Sequence, residues 1–91
     1  MSFSQFTQKD YEVIARNYAE LKEAAKKRCA GEQELDVVQK AFDFANEAHK
    51  NVRRRSGEPY MLHPIAVAKI VVNDIGLGYK SIAAALLHDV V

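Results

Sequence analysis

The chain has 91 residues, 48% of them hydrophobic and 27% charged, which suits one small domain or a piece of one and excludes both a second core and a disordered polymer. A formal net charge of +1 provides no overall attraction to nucleic acid or an anionic membrane, so any anion binding must come from local clustering. The single cysteine, Cys29, excludes an internal disulfide and fits a reducing compartment. No segment approaches bilayer-spanning length and Met1 to Phe6 lack signal-peptide character, so the sequence reads as cytoplasmic.

In chain order, Tyr11, Ile14, Tyr18, Leu21 and Ala25 recur at gaps of three and four and predict a first amphipathic helix, with Glu12, Glu20, Lys22 and Glu23 on its far face. Thr7 and Asp10 predict its start, since hydroxyl and carboxylate together satisfy free backbone N–H groups. Gly31 is the expected stop, with Lys26, Lys27 and Arg28 as a solvated basic last turn. Leu35, Val38, Phe42, Ala45 and Ala48 repeat the period and predict a second helix ending near His49, where an imidazolium would meet the terminal carbonyls.

From Lys50 to Pro64 the period breaks over four basic residues, Gly57 and two prolines, predicting a loop. Pro64 fits a first helical position, so a third helix is expected through Ile65, Val67, Ala68, Ile70 and Val71, ending near Gly76 or Gly78. A strand over Ile70–Val72 is the competing assignment. From Lys80 to Val91 the chain is almost wholly apolar and predicts a buried central helix that carries the adjacent His88 and Asp89. Leu86, Leu87, Val90 and Val91 are expected to form an exposed apolar patch at its end, and with it self-association.

Two imidazoles, His63 and His88, and the carboxylate of Asp89 form a plausible donor set for a transition ion. Nitrogen plus oxygen ligation suits Mn, Fe, Zn or Co better than Ca or Mg. Neighbours on a helix point about 100° apart, so His88 and Asp89 can share an ion only if it lies over the edge between them. A purely structural role competes, with His63 capping its helix and His88 and Asp89 bonded in the core, and spacing alone favours it. His49 reads as structural. Lys50, Arg53, Arg54 and Arg55 concentrate positive charge that fits a nucleotide polyphosphate, although Lys50 and Arg53 are better explained as solvated. One short cluster without interleaved aromatics argues against direct nucleic-acid binding.

Taken together, Ala48-His49, Arg54-Arg55-Ser56-Gly57-Glu58-Pro59-Tyr60, His63-Pro64 and Ala84-Ala85-Leu86-Leu87-His88-Asp89-Val90 resemble the start of the HD hydrolase domain of the RelA/SpoT family. The resemblance covers roughly residues 35–91 as a portion of the HD core, with 1–34 as an N-terminal helical segment. It implies an all-α fold, an HD-domain helical bundle truncated to about four helices. It also implies a Mn2+-dependent (p)ppGpp 3′-pyrophosphohydrolase of the stringent response, usually joined to a synthetase domain.

Matched residue by residue, His63, His88 and Asp89 correspond to metal ligands, and Arg54 to the arginine that packs against guanine. Arg55 stands where many members have lysine, and Ser56 lines the same nucleotide pocket. A fourth ligand, an aspartate, and a water-positioning Glu-Asp pair are expected after Val91. No catalytic residue is therefore expected within the chain, its metal site should be incomplete and the chain by itself inactive. Other readings are a different HD-type nucleotide phosphohydrolase, or a module that binds a guanine nucleotide without turnover.

Overall fold

The computed structural model describes residues 2–90. Four helices dominate it: α1 (Gln8–Lys26), α2 (Glu32–Ala48), α3 (Leu62–Ile70) and α4 (Tyr79–Leu87). The backbone continues from α3 as a π-helical turn, Val71–Ile75. The expected helical architecture is present, with a small addition. Strands β1 (Ser2–Phe3) and β2 (Val52–Arg53) pair antiparallel, Ser2 opposite Arg53 and Phe3 opposite Val52.

Helix α1 starts as its sequence predicts. The Thr7 side chain accepts from the Asp10 N–H, and the Asp10 carboxylate accepts from the Thr7 N–H at 2.8 Å. It ends at Lys26, before Gly31, because a tight turn passes the Lys27 and Arg28 N–H groups to the Ala24 and Ala25 carbonyls at 3.3 and 2.9 Å. Gly31 instead begins α2. The α1 stripe buries Ile14, Tyr18, Leu21 and Ala25, while Tyr11 stays exposed and meets Phe6 edge to face. Across the α1–α2 junction Tyr18 stacks on Phe42, with ring centroids 3.7 Å apart, and donates its hydroxyl to Gln39 at 2.9 Å. Within α2, Ala41 joins Val38, Phe42 and Ala45 in the core, whereas Ala48 faces solvent.

Helix α3 begins two residues before Pro64. A turn at Pro59–Tyr60, closed by Leu62 N–H to Pro59 and His63 N–H to Tyr60, carries the chain into the helix early. Pro64 is tolerated there because first-turn N–H groups lack intrahelical acceptors in any case. The segment Ile70–Val72 is helical. Gly76 closes it at φ 78°, and the Gly76 and Leu77 N–H groups both donate to the Val71 carbonyl at 2.9 and 3.1 Å. A side chain at Gly76 would be strained by that φ, and its Cβ would lie 3.2 Å from the Arg28 guanidinium.

Helix α4 packs between α2 and α3 and buries Ile82, Ala83, Ala85 and Leu86. It is shorter than predicted, stopping at Leu87. The expected apolar patch at its end is also revised: Leu86 is fully buried, Leu87 and Val90 are half-buried, and Val91 lies outside the described residues. The exposed apolar surface sits further back, where Val37, Phe44, Ala83 and Leu87 line a groove of about 400 Å³. Among the described residues no helix is long and apolar enough to cross a membrane.

Candidate metal centre and basic loop

Where α4 stops decides the geometry of the site. His88 turns its ring back on the helix, so that Nδ1–H donates to the Ala85 carbonyl at 2.6 Å and Nε2 is the ring nitrogen turned toward Asp89. That side-chain bond occupies one of the carbonyls left open at a helix end. His88 and Asp89 lie in a turn just past the last residue of α4, where His88 keeps helical backbone angles of φ −60° and ψ −26°, and both are partly solvated instead of core residues. His88 Nε2 approaches Asp89 Oδ2 to 3.2 Å. His63, in the first turn of α3 and not in a preceding loop, brings Nε2 to 3.7 Å from the same oxygen.

The donor atoms of His63, His88 and Asp89 all lie within 4.8 Å of one another. Donors around a first-row ion, each about 2.1 Å from it, sit about 3 to 3.5 Å apart, so modest closure brings this set to ligating distance. Two neutral imidazole nitrogens and a carboxylate oxygen are a fitting donor set for such an ion. The sequence-predicted ligands thus converge, from two elements that pack together.

Tyr60 completes the cluster, a role the sequence analysis did not assign to it. Its hydroxyl donates to Asp89 Oδ2 at 2.5 Å. That bond, helped by the nearby imidazoles of His88, His63 and His49, holds the Asp89 carboxyl below the ordinary carboxylate range, and the same contact pushes the Tyr60 phenol up. The only advance hint is that Tyr60 precedes His63 by one turn of chain, close enough to share a site.

His49 packs beneath, its ring centroid 4.9 Å from that of Tyr60 and its Nε2 buried without a hydrogen-bond partner among the described residues. Burial lowers its pKa from the ordinary 6.5, which disfavours the imidazolium expected at the end of α2.

The basic loop divides into two parts. Arg53, expected to be solvated, is mostly buried: it pairs with Asp10 Oδ2 at 2.7 Å, donates to the Gln5 and Gly57 carbonyls at 2.8 and 3.0 Å, and lies over the Phe6 ring at 5.2 Å. This guanidinium ties the N-terminal segment to the base of the loop and depresses the Asp10 pKa to about 2. Beyond it, Arg54 to Glu58 form a tight turn, with Arg54 N–H to Glu58 and Gly57 N–H to Arg54, both 2.9 Å, and Gly57 at φ 99°. Arg54, Arg55 and Ser56 all project from this turn into solvent. Arg54 meets Glu58 at 3.8 Å, and a bond from Ser56 is the main cause that keeps the Glu58 carboxyl below its usual range.

The structure therefore presents the three expected nucleotide-facing residues together on one exposed turn, joined by a short linker to Tyr60 and the His63–His88–Asp89 cluster. Arg54 is near enough to act electrostatically on the Tyr60 phenol.

Residues 41–91 match the HD domain family. The chain is 51% identical over 59 residues to a chloroplastic putative GTP diphosphokinase of Arabidopsis thaliana, an alignment covering 65% of this chain and 7% of that protein. It is 42% identical over 57 residues to the guanosine-3′,5′-bis(diphosphate) 3′-pyrophosphohydrolase of Aquifex aeolicus, covering 63% of this chain and 8% of that one. It is also 41% identical over 58 residues to the bifunctional (p)ppGpp synthase/hydrolase RelA of Mycobacterium tuberculosis, covering 64% and 8%. The chain thus spans less than a tenth of the length of these curated relatives.

Proposed function

Because this chain belongs to the HD domain family and is similar to RelA/SpoT-type enzymes, we propose that it forms the metal-holding and guanine-facing part of a (p)ppGpp 3′-pyrophosphohydrolase. The observation that carries this reading is the convergence of His63, His88 and Asp89 from α3 and the end of α4, with donor atoms within 4.8 Å. In this reading residues 35–91 are the HD-core portion and 1–34 the N-terminal segment that braces it, in a cytoplasmic protein.

His63, His88 and Asp89 would hold a divalent ion, Mn2+ in this proposal. Such an ion supplies Lewis acidity at a phosphoryl oxygen and makes a water more acidic. The chain's own residues do the rest of the work visible here. The Ala85 carbonyl fixes His88 in the tautomer that leaves Nε2 available. Arg54 stacks against the guanine and Arg55 meets phosphate oxygens, using the planar, bidentate geometry of guanidinium, while Ser56 lines the base pocket. Their position on one turn, with its base held by Arg53, orients the nucleotide toward the cluster.

Three protein donors leave coordination positions to solvent, so residues 1–91 alone are proposed to bind Mn2+ weakly and not to hydrolyse (p)ppGpp. A further aspartate and a Glu-Asp pair, expected beyond Val91, would complete the site.

A Mn2+ titration of the chain, followed by paramagnetic broadening of histidine ring protons, tests the carrying observation. His63 and His88 should broaden first, and Asp89→Asn should weaken binding by at least about tenfold, the loss typical of disturbing even an outer partner of a ligand. In a longer protein containing this chain and the completing acids, the same substitution should abolish (p)ppGpp hydrolysis. Absence of broadening at these two rings, or an Asp89→Asn variant that binds like the parent, would reject the site.

A further inference from the structure

We infer that Tyr60 is a positioning residue for Asp89, its phenol fixing the carboxylate in the orientation in which it faces His63 and His88. The inference rests on the metal-site reading above and extends it to a group outside the donor set.

The geometry begins with the backbone. Tyr60 N–H donates to the Val52 carbonyl at 2.8 Å and the Tyr60 carbonyl accepts from His63 N–H at 2.9 Å, so the residue is tied on one side to β2 and on the other to the first turn of α3. Its ring is held between two imidazoles, with centroids 4.9 Å from His49 and 5.8 Å from His63. A side chain fixed at both backbone groups and along its ring has little freedom to move its hydroxyl. That hydroxyl lies 2.5 Å from Asp89 Oδ2, at the short end of charge-assisted O–H···O⁻ bonds.

Asp89 needs such an anchor. It lies beyond the last residue of α4, in a turn whose backbone is closed by Val90 N–H to Leu87 at 3.0 Å, and no further turn of helix follows it among the described residues to hold its side chain. The carboxylate oxygen that receives the phenol is the one that His88 and His63 approach, at 3.2 and 3.7 Å. Carboxylate oxygens carry two lone pairs, so accepting the phenol leaves a pair for an ion. A bond from a fixed neighbour that orients a ligating group and removes its alternative rotamers is a recurrent way of raising metal affinity. Tyr60 also joins the two halves of the site, because the chain runs from it directly back into the Arg54–Glu58 turn. A base or phosphate held by that turn and an ion held by Asp89 would be positioned relative to one another through this one residue.

The test is the Mn2+ titration of the chain with Tyr60→Phe, which keeps the ring between His49 and His63 and deletes only the hydroxyl. The expected result is a dissociation constant raised about 10- to 100-fold, with the far-ultraviolet circular dichroism of the parent. Tyr60→Gln separates hydrogen bonding from packing, since its amide can donate to Asp89 while the ring is lost. Affinity above that of Tyr60→Phe supports the hydrogen bond, and affinity below it shows that ring packing is what matters and overturns the inference. If Tyr60→Phe binds Mn2+ like the parent while Asp89→Asn does not, Tyr60 is no positioning residue and the metal site stands. If Asp89→Asn also binds like the parent, or the parent shows no broadening at His63 and His88, the metal-site reading fails and this inference with it.

Discussion

Leu86→Ala should be among the most damaging single substitutions in the chain, and its comparison with Leu87→Ala tests how α4 is seated. Leu86 is fully buried, whereas Leu87 is half-buried on the edge of the α2–α4 groove. Truncating Leu86 removes three carbon groups from the core, about 2.4 kcal/mol at about 0.8 kcal/mol each. A residual cavity of about 50 Å³, at about 24 cal/mol per Å³, adds about 1.2 kcal/mol, for a total of about 3.6 kcal/mol. In a domain this small each kcal/mol moves the thermal midpoint by about 4 to 8 °C, so a fall of about 14 to 29 °C is expected.

Leu87→Ala loses packing on one side only and should cost about 1 kcal/mol. Urea unfolding followed by circular dichroism measures both at equal slope. Costs that are equal, or reversed in order, would mean that α4 is rotated about its axis. The positions of His88 and Asp89, which follow directly, would then be wrong as well.

Three further outcomes follow from the loop, the brace and the groove. Arg54→Ala should weaken binding of a guanine nucleotide, measured by calorimetry on a nucleotide-binding protein that contains this chain, by about tenfold or more while leaving Mn2+ affinity unchanged; equal nucleotide affinity would remove Arg54 from the site. Asp10 has a folded pKa of about 2 against an ordinary 3.8, so its pairing with Arg53 and its capping bonds stabilise the fold fully above pH 3.8, and that contribution is lost as pH falls from there through about 2. Asp10→Asn should therefore lower the thermal midpoint at pH 5 and flatten its decline toward pH 2.5, and an unaltered acid profile would refute the linkage. Light scattering should show concentration-dependent self-association through the Val37–Phe44–Leu87 groove, reduced by Phe44→Ser; a parent that stays monomeric at every concentration would exclude it.

Local chemistry made much of this molecule legible from sequence. The three- and four-residue spacing of Ile14, Tyr18, Leu21 and Ala25, and of Val38, Phe42 and Ala45, fixes both the helices and the faces they bury, because a helix of given pitch has only one way to turn those side chains inward. Thr7 and Asp10 mark the start of α1 because their bonds reach only their own first turn. His63, His88 and Asp89 could be named as a candidate donor set from residue type, but spacing alone favoured a structural role and the family resemblance is what singled them out as ligands.

What spacing could not supply was where helices stop and which distant groups meet. Helix α4 ends at Leu87 and the His88 ring bonds back to the Ala85 carbonyl, a contact that apolar spacing does not encode. Arg53 reads as a solvated cation until the fold brings it, across 43 positions of sequence, onto Asp10. Leu86 turns inward and the charged form of His49 is disfavoured because of what α2, α3 and the Tyr60 ring place around them. Tyr60 reaches Asp89 only because α3 and α4 pack side by side. Periodicity encodes the face of an element. Burial of charge and convergence of ligands depend on the path of the chain between elements, and that path is set by the packing of the whole.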